Sequence, residues 1–434
     1  MPLAEAQRQL ARVVLPFWLR HGVDEQHGGF FTCFDNRGRR RLSTDKFTWS
    51  QGRFVWLLAR AARLAQNGQL DLDADRLIRI AQRGARFLVD HVVDQDGSCA
   101  YRVDASGARR YDDERSVFAD CFVAIGLAEL TRQTGSGEWL GTVEKIIDRA
   151  SADVAAGDPP TAPYPLPAGF RGFGAEMILL NARLDQVRAC QRLGVADERA
   201  RSGLAAARAA VVARREQRTG LFTEIRADDP AATGTLLARH RVPGHALEGI
   251  WMALEAGELL GETADQSELC ASVPALCAAG WDTEFGGLFR YTGPDGPAEP
   301  SGSLLGGPYE RLVRDTWSTK LWWVHTEAAY TTRLVARRYR QSSSDGSPAS
   351  ASQQAEAWFR RIWNYTLRTF PSGAWAADGA GDDGEEWIQI RDRTGRPLDE
   401  VVALPVKDPY HISRNLMQLI ELESATNPTT GAPR

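Results

Sequence analysis

The chain contains no run of eighteen apolar residues, so nothing in it reads as a membrane-spanning helix. No basic segment leading into an apolar stretch opens it, so no secretory leader is expected. The six cysteines, Cys33, Cys99, Cys121, Cys190, Cys270 and Cys277, lack the paired spacing of zinc-binding or redox motifs. They read as reduced, mostly buried thiols, and the expected location is the cytoplasm. Histidine is scarce, with seven in 434 residues. No group of histidines or carboxylates has metal-ligand spacing, so no metal is expected. Neither a phosphate-binding P-loop nor a glycine-rich dinucleotide fingerprint occurs. A net charge of −4 gives no electrostatic case for a nucleic-acid partner.

What is present is helix after helix. Leu3, Leu10, Val13, Val14, Phe17 and Trp18 recur at helical period over 2–20. Similar patterns cover 47–66, 74–92, 114–133, 137–155, 173–193, 196–215, 244–260, 264–279, 313–339, 353–369 and 409–423. Twelve helices without a composition break suggest one domain over 1–434. Asp24-Glu25-Gln26-His27-Gly28-Gly29-Phe30-Phe31 returns as Asp282-Thr283-Glu284-Phe285-Gly286-Gly287-Leu288-Phe289, and more loosely as Asp94-Gln95-Asp96-Gly97. A phrase repeated between helices is the mark of a repeating helix–loop–helix unit. The long connections 156–172, 218–243, 290–312 and 371–408 read as rim loops with turns and short strands. The Ser-rich tract 342–352 reads as a flexible insertion. Twelve amphipathic helices fit a solenoid or a closed (α/α)6 double ring. A ring predicts polar or aromatic residues inside otherwise apolar helices, facing a central pocket.

Such residues occur in four stretches. In Pro243-Gly244-His245-Ala246-Leu247-Glu248, a Pro-Gly turn opens a helix with His245 in its first turn. Glu248 follows on the same face at i+3. A helix start favours neutral imidazole and a carboxylate fixes its tautomer, which together would make a general base. The alternative is a satisfied structural pair. Asp408-Pro409-Tyr410-His411-Ile412-Ser413-Arg414 has the same logic, with His411 at a helix start and Arg414 three residues on. Trp49, Arg53 and Trp56 share one helix stripe. A guanidinium between two indoles needs a partner, Glu327 or Asp120, or else serves an oxyanion. Trp317 to Glu327 is the densest aromatic and charged cluster, with Lys320, Trp323 and Glu327 on one face. Three tryptophans in seven residues suit a sugar-stacking wall. His21, His27, His91 and His240 are expected at the surface or in turns.

Taken together, these phrases resemble the N-acylglucosamine 2-epimerase family, which also holds renin-binding protein, cellobiose 2-epimerase and mannose isomerase. The likeness runs from Glu25-Gln26-His27-Gly28-Gly29-Phe30-Phe31-Thr32-Cys33 to Tyr410-His411-Ile412-Ser413-Arg414. It includes Trp49 to Trp56, Pro243 to Glu248, Gly280 to Phe289 and Lys320 to Glu327. The resemblance implies an all-α (α/α)6 barrel and chemistry at C2 of an open-chain aldose, without a redox cofactor. It implies His245 and His411 as the acid/base pair, Arg53 on the C1/C2 oxygens and Glu248 supporting His245. Trp322, Trp323, Glu327, Lys320, Trp49 and Arg414 would bind the sugar. Cellobiose epimerase and mannose isomerase carry a Met-His pair in the mid-chain helix. Here the stretch is Met177-Ile178, which sides with the N-acylglucosamine branch. That branch is activated by ATP, so ATP activation is an open expectation, as is a homodimer. Mannose–fructose isomerisation, mannose/glucose epimerisation, a glycoside hydrolase using Glu248 and Glu327, and a non-catalytic binding protein are the competing readings.

Overall fold

The computed structural model describes residues 2–109, 114–342, 349–372, 385–400 and 405–425. The first helical run consists of α1 (Pro2–Gln9), a π turn at Leu10–Val14 and α2 (Leu15–His21). There follow α3 (Thr48–Gln66), α4 (Ala74–His91), α5 (Val117–Thr134), α6 (Leu140–Ala156), α7 (Phe173–Leu193) and α8 (Glu198–Val212). After a short α9 (Leu236–Arg239) come α10 (Pro243–Leu260), α11 (Gln266–Gly280), α12 (Pro308–Thr316), α13 (Trp322–Ser342), α14 (Ala349–Thr369) and α15 (Tyr410–Ser424). All twelve expected helices are there. The one expected at 313–339 is two elements, because the chain leaves α12 and makes a strand before α13 begins. The Ser-rich tract is also shorter than expected: Ser342 still belongs to α13 and Ala349–Ser352 to α14, while 343–348 lie outside the described residues.

Six helices form an inner ring in which neighbours pack in the order α3, α5, α7, α10, α13, α15 and back to α3. The first run, α4, α6, α8, α11 and α14 lie outside, each against inner partners. This is an (α/α)6 barrel. The division follows from patterning. The outer α4 buries Leu77, Ile80, Ala81, Ala85, Phe87 and Leu88 on one face and exposes Asp75, Arg76, Arg79 and Arg86 on the other. The inner α5 is buried nearly all round, including Asp120 and Glu129. Helices α3 and α5 cross in backbone contact. A Cβ on Gly52 would lie 2.2 Å from the Phe122 carbonyl oxygen, and one on Gly126 would lie 2.4 Å from that of Gly52. Only glycine permits this approach.

Four outer helices end in the same turn. Asp24, Asp94, Glu216 and Asp282 each accept a backbone hydrogen bond from a glycine, Gly28, Gly97, Gly220 and Gly286, at 2.8–3.1 Å. The turn at Glu216 was not evident in the sequence because it has neither the aspartate nor the paired glycines. Three of the turns hand their next strand to the following inner helix. Phe30, Cys99 and Leu288 donate backbone N–H bonds of 2.7–2.8 Å to Gln51, Asp120 and His325, each the fourth residue of its helix. Three two-stranded antiparallel ribbons complete this rim: β1 (Lys46–Phe47) with β2 (Arg102–Val103), β3 (Phe170–Gly172) with β4 (Ile225–Ala227), and β5 (Lys320–Leu321) with β6 (Ile390–Arg391). The six cysteines are buried free thiols.

Candidate active site

Axis-facing residues of the inner helices stack in tiers, starting at the helix N-termini. The second residues are Trp49, Phe118, Gly174, Gly244, Trp323 and His411. The sixth are Arg53, Phe122, Ile178, Glu248, Glu327 and Asn415. The spacing is one helical turn, so each pair shares a face. Farther down, Arg60, Arg63, Glu129, Glu421, Arg188 and Glu255 close the barrel with ion pairs of 2.6–3.4 Å across neighbouring inner helices. At the opposite end, by the rim, aromatic rings surround two histidines.

The Trp323 ring packs against both histidines, 5.2 Å from His245 and 5.7 Å from His411 between centroids. Across the ring of helices, Trp49 stacks on Phe118 at 5.0 Å and on Phe122 at 5.7 Å. His411 is fixed from two sides. Its Nδ1 lies 2.7 Å from Glu327 Oε1, and its Nε2 lies 3.2 Å from Arg53 Nη2. A guanidinium has only donors, so the Arg53 contact suits an accepting Nε2 with the Nδ1 hydrogen given to Glu327 at the shorter distance, while Arg414 Nη2 lies 3.3 Å from the same Nδ1. The lone pair of a potential base thus lies beside a cation.

Arg53 is paired with Asp408 at 2.6 Å, not with the expected Glu327 or Asp120. Its guanidinium lies 4.0 Å over the Phe122 ring. Asp408 also accepts the Tyr410 backbone N–H at 3.0 Å, so one carboxylate both caps α15 and aims Arg53. Burial disfavours the Arg53 charge and holds its pKa below the usual value, with Asp408 opposing.

His245 departs from expectation. Its partner is Glu224, on the residue before β4, with Nδ1 to Oε1 at 3.0 Å. Burial disfavours the imidazolium, but the carboxylate outweighs it and raises the pKa of His245. Glu248 is hydrogen-bonded to Arg414 and acts on His245 through its charge, which adds to that of Glu224 in raising the histidine's pKa. Although i+3 spacing puts Glu248 and His245 on one helix face, the Glu248 side chain lies one tier lower and meets the arginine of α15.

Several expected sugar ligands are engaged with other residues of the framework. Arg414 is buried and its Nη2 joins Glu248 to Glu327, the latter at 2.5 Å. Glu327 is fully buried. Besides His411 and Arg414 it accepts Trp251 Nε1 at 2.9 Å and Asn415 Nδ2 at 2.6 Å. Burial would raise its pKa, yet Arg414 and His411 hold it at about 2. Lys320 is buried on Asp282, 3.0 Å away, and burial brings its pKa down to about 8. Trp322 is buried in the core, and Trp323 alone of that pair meets the histidines. His240, expected at the surface or in a turn, follows the end of α9 and is buried. Its Nδ1 donates to the Leu237 carbonyl at 2.8 Å, and its Nε2 lies 3.3 Å from the Tyr309 hydroxyl.

Glu248, Glu327 and His411 bring ligand-type atoms within 4.8 Å of one another. The Arg414 guanidinium already bonds both carboxylates, so the cation position between them is filled by the chain itself. Glu224 and Asp408 are the site residues that motif reading overlooked. Asp408 carried a signal, since an acid just before Pro409 and a helix start is a capping pattern. Glu224 carried a fainter one, a lone carboxylate between the buried Phe222 and Ile225.

Comparison with known proteins agrees with this geometry. The family model for N-acylglucosamine 2-epimerase matches residues 29–413. N-acylglucosamine 2-epimerase of Bos taurus is 28% identical over 427 residues, covering 96% of this chain and 89% of that protein. The solved cellobiose 2-epimerase of Bacillus thermoamylovorans superposes with a TM-score of 0.73 at 17% identity, covering 97% and 99% of the two chains. A solved D-mannose isomerase gives 0.68 at 16% identity, covering 97% of each. At such identities the two structures show the shared barrel.

Proposed function

The chain belongs to the N-acylglucosamine 2-epimerase family, and from that premise we propose that it epimerises C2 of an open-chain aldose, first among them the N-acylglucosamine/N-acylmannosamine pair. The observation that carries the reading is the pair of carboxylate-bound histidines that both pack against Trp323. Inversion at C2 requires a proton to leave one face and another to arrive at the opposite face. A single base returns it to the face it came from.

In the proposed reaction the C2–H bond breaks as one histidine accepts the proton. The electron pair moves into the carbon skeleton, and the aldehyde oxygen becomes an enediolate or enolate oxyanion. Arg53 stands beside His411 Nε2 and is suited to hold that charge. The opposite histidine then donates its proton to C2. His411, held with Nε2 as acceptor, is the resting base. His245, whose imidazolium Glu224 favours, is the resting acid. The reverse reaction exchanges the roles, as microscopic reversibility demands. Trp323 and Trp49 supply apolar faces for the sugar. No step calls for a redox cofactor.

The test is proton NMR in D2O with N-acetylmannosamine, mannose, glucose and cellobiose, each with and without ATP. The expected result is the C2 epimer carrying deuterium at C2. A ketose product identifies an aldose–ketose isomerase using the same groups. No exchange with any sugar removes the enolisation reading. The ATP arms measure activation, and light scattering of the same sample measures whether the enzyme is a homodimer. A cytoplasmic location completes the proposal; among the described residues no helix is long and apolar enough to cross a membrane.

A further inference from the structure

Resting on the epimerase reading, we propose that Arg290 is an anion subsite for a carboxylate or phosphate that the sugar carries on the end away from C1. The starting point is a buried guanidinium without a carboxylate of its own. Arg60, Arg208, Arg214, Arg333 and Arg414 are buried to a similar depth, and each holds a carboxylate of the chain. Arg290 is 5% exposed and, among the described residues, has no carboxylate in ion-pair contact. Its Nη1 donates to Thr316 Oγ1 at 2.9 Å, and its guanidinium lies 4.8 Å over the Tyr291 ring. Its Nε is buried without a hydrogen-bond partner. An uncompensated buried charge is costly, and a ligand of opposite charge relieves that cost. The arginine is also fixed in advance. Tyr291 donates its backbone N–H to the Trp317 carbonyl at 3.2 Å, so the end of α12 holds both the strand and, through Thr316, the guanidinium.

The surroundings tie this cation to His245. Tyr291 and Tyr309 pack with Val242, the residue before α10, and Trp323 lies against the same small core. Burial raises the pKa of both tyrosines and the Arg290 charge opposes it, which puts the guanidinium near both hydroxyls. His245 feels the same charge. Burial acts on it most, Glu224 offsets burial, and Arg290 works against Glu224. Glu224 itself is bonded to His245. Tyr164 and Tyr309, 6.4 Å apart between centroids, are partly exposed, so the cluster reaches the rim surface. Arg53 thus stands with His411, and Arg290 with His245. In the proposed reaction Arg53 takes C1 and the histidines serve C2, so the chain beyond C2 is what remains to meet Arg290. A hydroxyl there would gain an ordinary hydrogen bond, whereas a carboxylate or phosphate would gain a charge-assisted, bidentate one.

The experiment compares kcat/KM for mannose, mannose 6-phosphate, mannuronate, N-acetylmannosamine and its 6-phosphate in the parent, Arg290→Gln and Arg290→Lys. The parent is expected to favour an anionic sugar over its neutral counterpart about tenfold or more, the scale of a hydrogen bond to a charged group. Whether phosphate or carboxylate gives the gain identifies the anion. Arg290→Gln is expected to lower that ratio about tenfold. Arg290→Lys keeps the charge but loses the paired donors, so a smaller fall is expected, and it carries the test if circular dichroism shows the Gln variant unfolded. Taking the ratio cancels any effect on His245 that all the sugars share. A parent ratio near one for every anion, or a ratio that moves less than about twofold in the folded variants, overturns the subsite. Arg290 would then be a structural tie to Thr316 and Tyr291. Calorimetric binding of mannose 6-phosphate and mannuronate against mannose reads the subsite without turnover. A parent that binds an anionic sugar through Arg290 yet exchanges no C2 hydrogen overturns the epimerase reading alone.

Discussion

Glu224 decides how His245 behaves. It is buried, yet remains ionised because His245 lies beside it and offsets the burial. Replacing it by Gln removes the charge that raises the histidine's pKa, so the pKa must fall. In the direction where His245 donates, activity is lost as pH rises through that pKa, and the loss should begin at lower pH in Glu224→Gln. In the direction where His245 accepts, activity appears as pH rises, and it too should appear at lower pH. Profiles of kcat against pH, measured from each epimer, check both shifts. A merely structural Glu224 would lower activity at every pH without moving either limb. Glu248→Gln should behave differently. It removes one of the two carboxylates that hold the buried Arg414, and breaking a buried pair costs about 3–5 kcal/mol, so its effect should be read in the urea midpoint. The sequence singled out the histidines by their helix-start motifs and Arg53 by its place between two tryptophans on one helix stripe. Their partners were not, since Glu224 and Asp408 come from loops distant in sequence, and spacing rules see only one element at a time.

The repeated rim turn is the element that positions the site. Asp24 and Asp282 each cap their own turn, Asp24 Oδ1 accepting Gln26 N–H and Asp282 Oδ1 accepting Glu284 N–H, both at 3.0 Å. The second oxygen of each holds a buried lysine, Lys46 at 2.8 Å and Lys320 at 3.0 Å. Each lysine begins the strand that enters an inner helix, and each lies 4.2 Å over an aromatic ring, Phe87 or Phe289. Trp49 and Trp323 follow their lysines at the same distance of three residues. The turn–lysine pair thereby sets the height of an indole in the cavity. Lys320→Met should leave Asp282 buried with Arg393 as its one cationic partner. We expect a loss of about 3 kcal/mol by denaturant unfolding and a weaker KM as Trp323 shifts. Burial would raise the pKa of Asp282, but Arg393 and Lys320 hold it at about 2. Its contribution is present above its unfolded pKa and disappears as pH falls toward about 2. Acid titration of Asp282→Asn should lack that loss. The repetition was visible in the sequence for Asp24 and Asp282. The dense Lys320 to Glu327 cluster invited a sugar-binding reading because an exposed and a buried lysine look alike in a sequence.

The closed ring brings residues from both ends of the chain to one cavity, Arg53 from α3 and His411 from α15. Closure depends on α15 packing between α13 and α3, with Glu421 joined to Arg60 and Arg63 at 2.6 and 2.8 Å. A chain ended before Asp408 should therefore fail to fold cooperatively, and the loss of a single sharp thermal transition would register it. Helix periodicity announced twelve helices, but it cannot distinguish a solenoid from a ring. The buried polar residues inside α3, α5 and α13 did that, because they need a shared interior to be satisfied. The ring also gives His245 and His411 a carboxylate each, Glu224 and Glu327, and the proposed function has them serve the two sides of one carbon. The measurement that tests this most directly is C2 hydrogen exchange in D2O by His245→Asn and His411→Asn, starting from each epimer separately. Histidines serving opposite faces predict that neither variant interconverts the epimers. They predict too that each variant still exchanges the C2 hydrogen of one epimer, and that the two variants favour different ones. Exchange of the same epimer by both variants, or full epimerisation by either, would contradict the two-face arrangement.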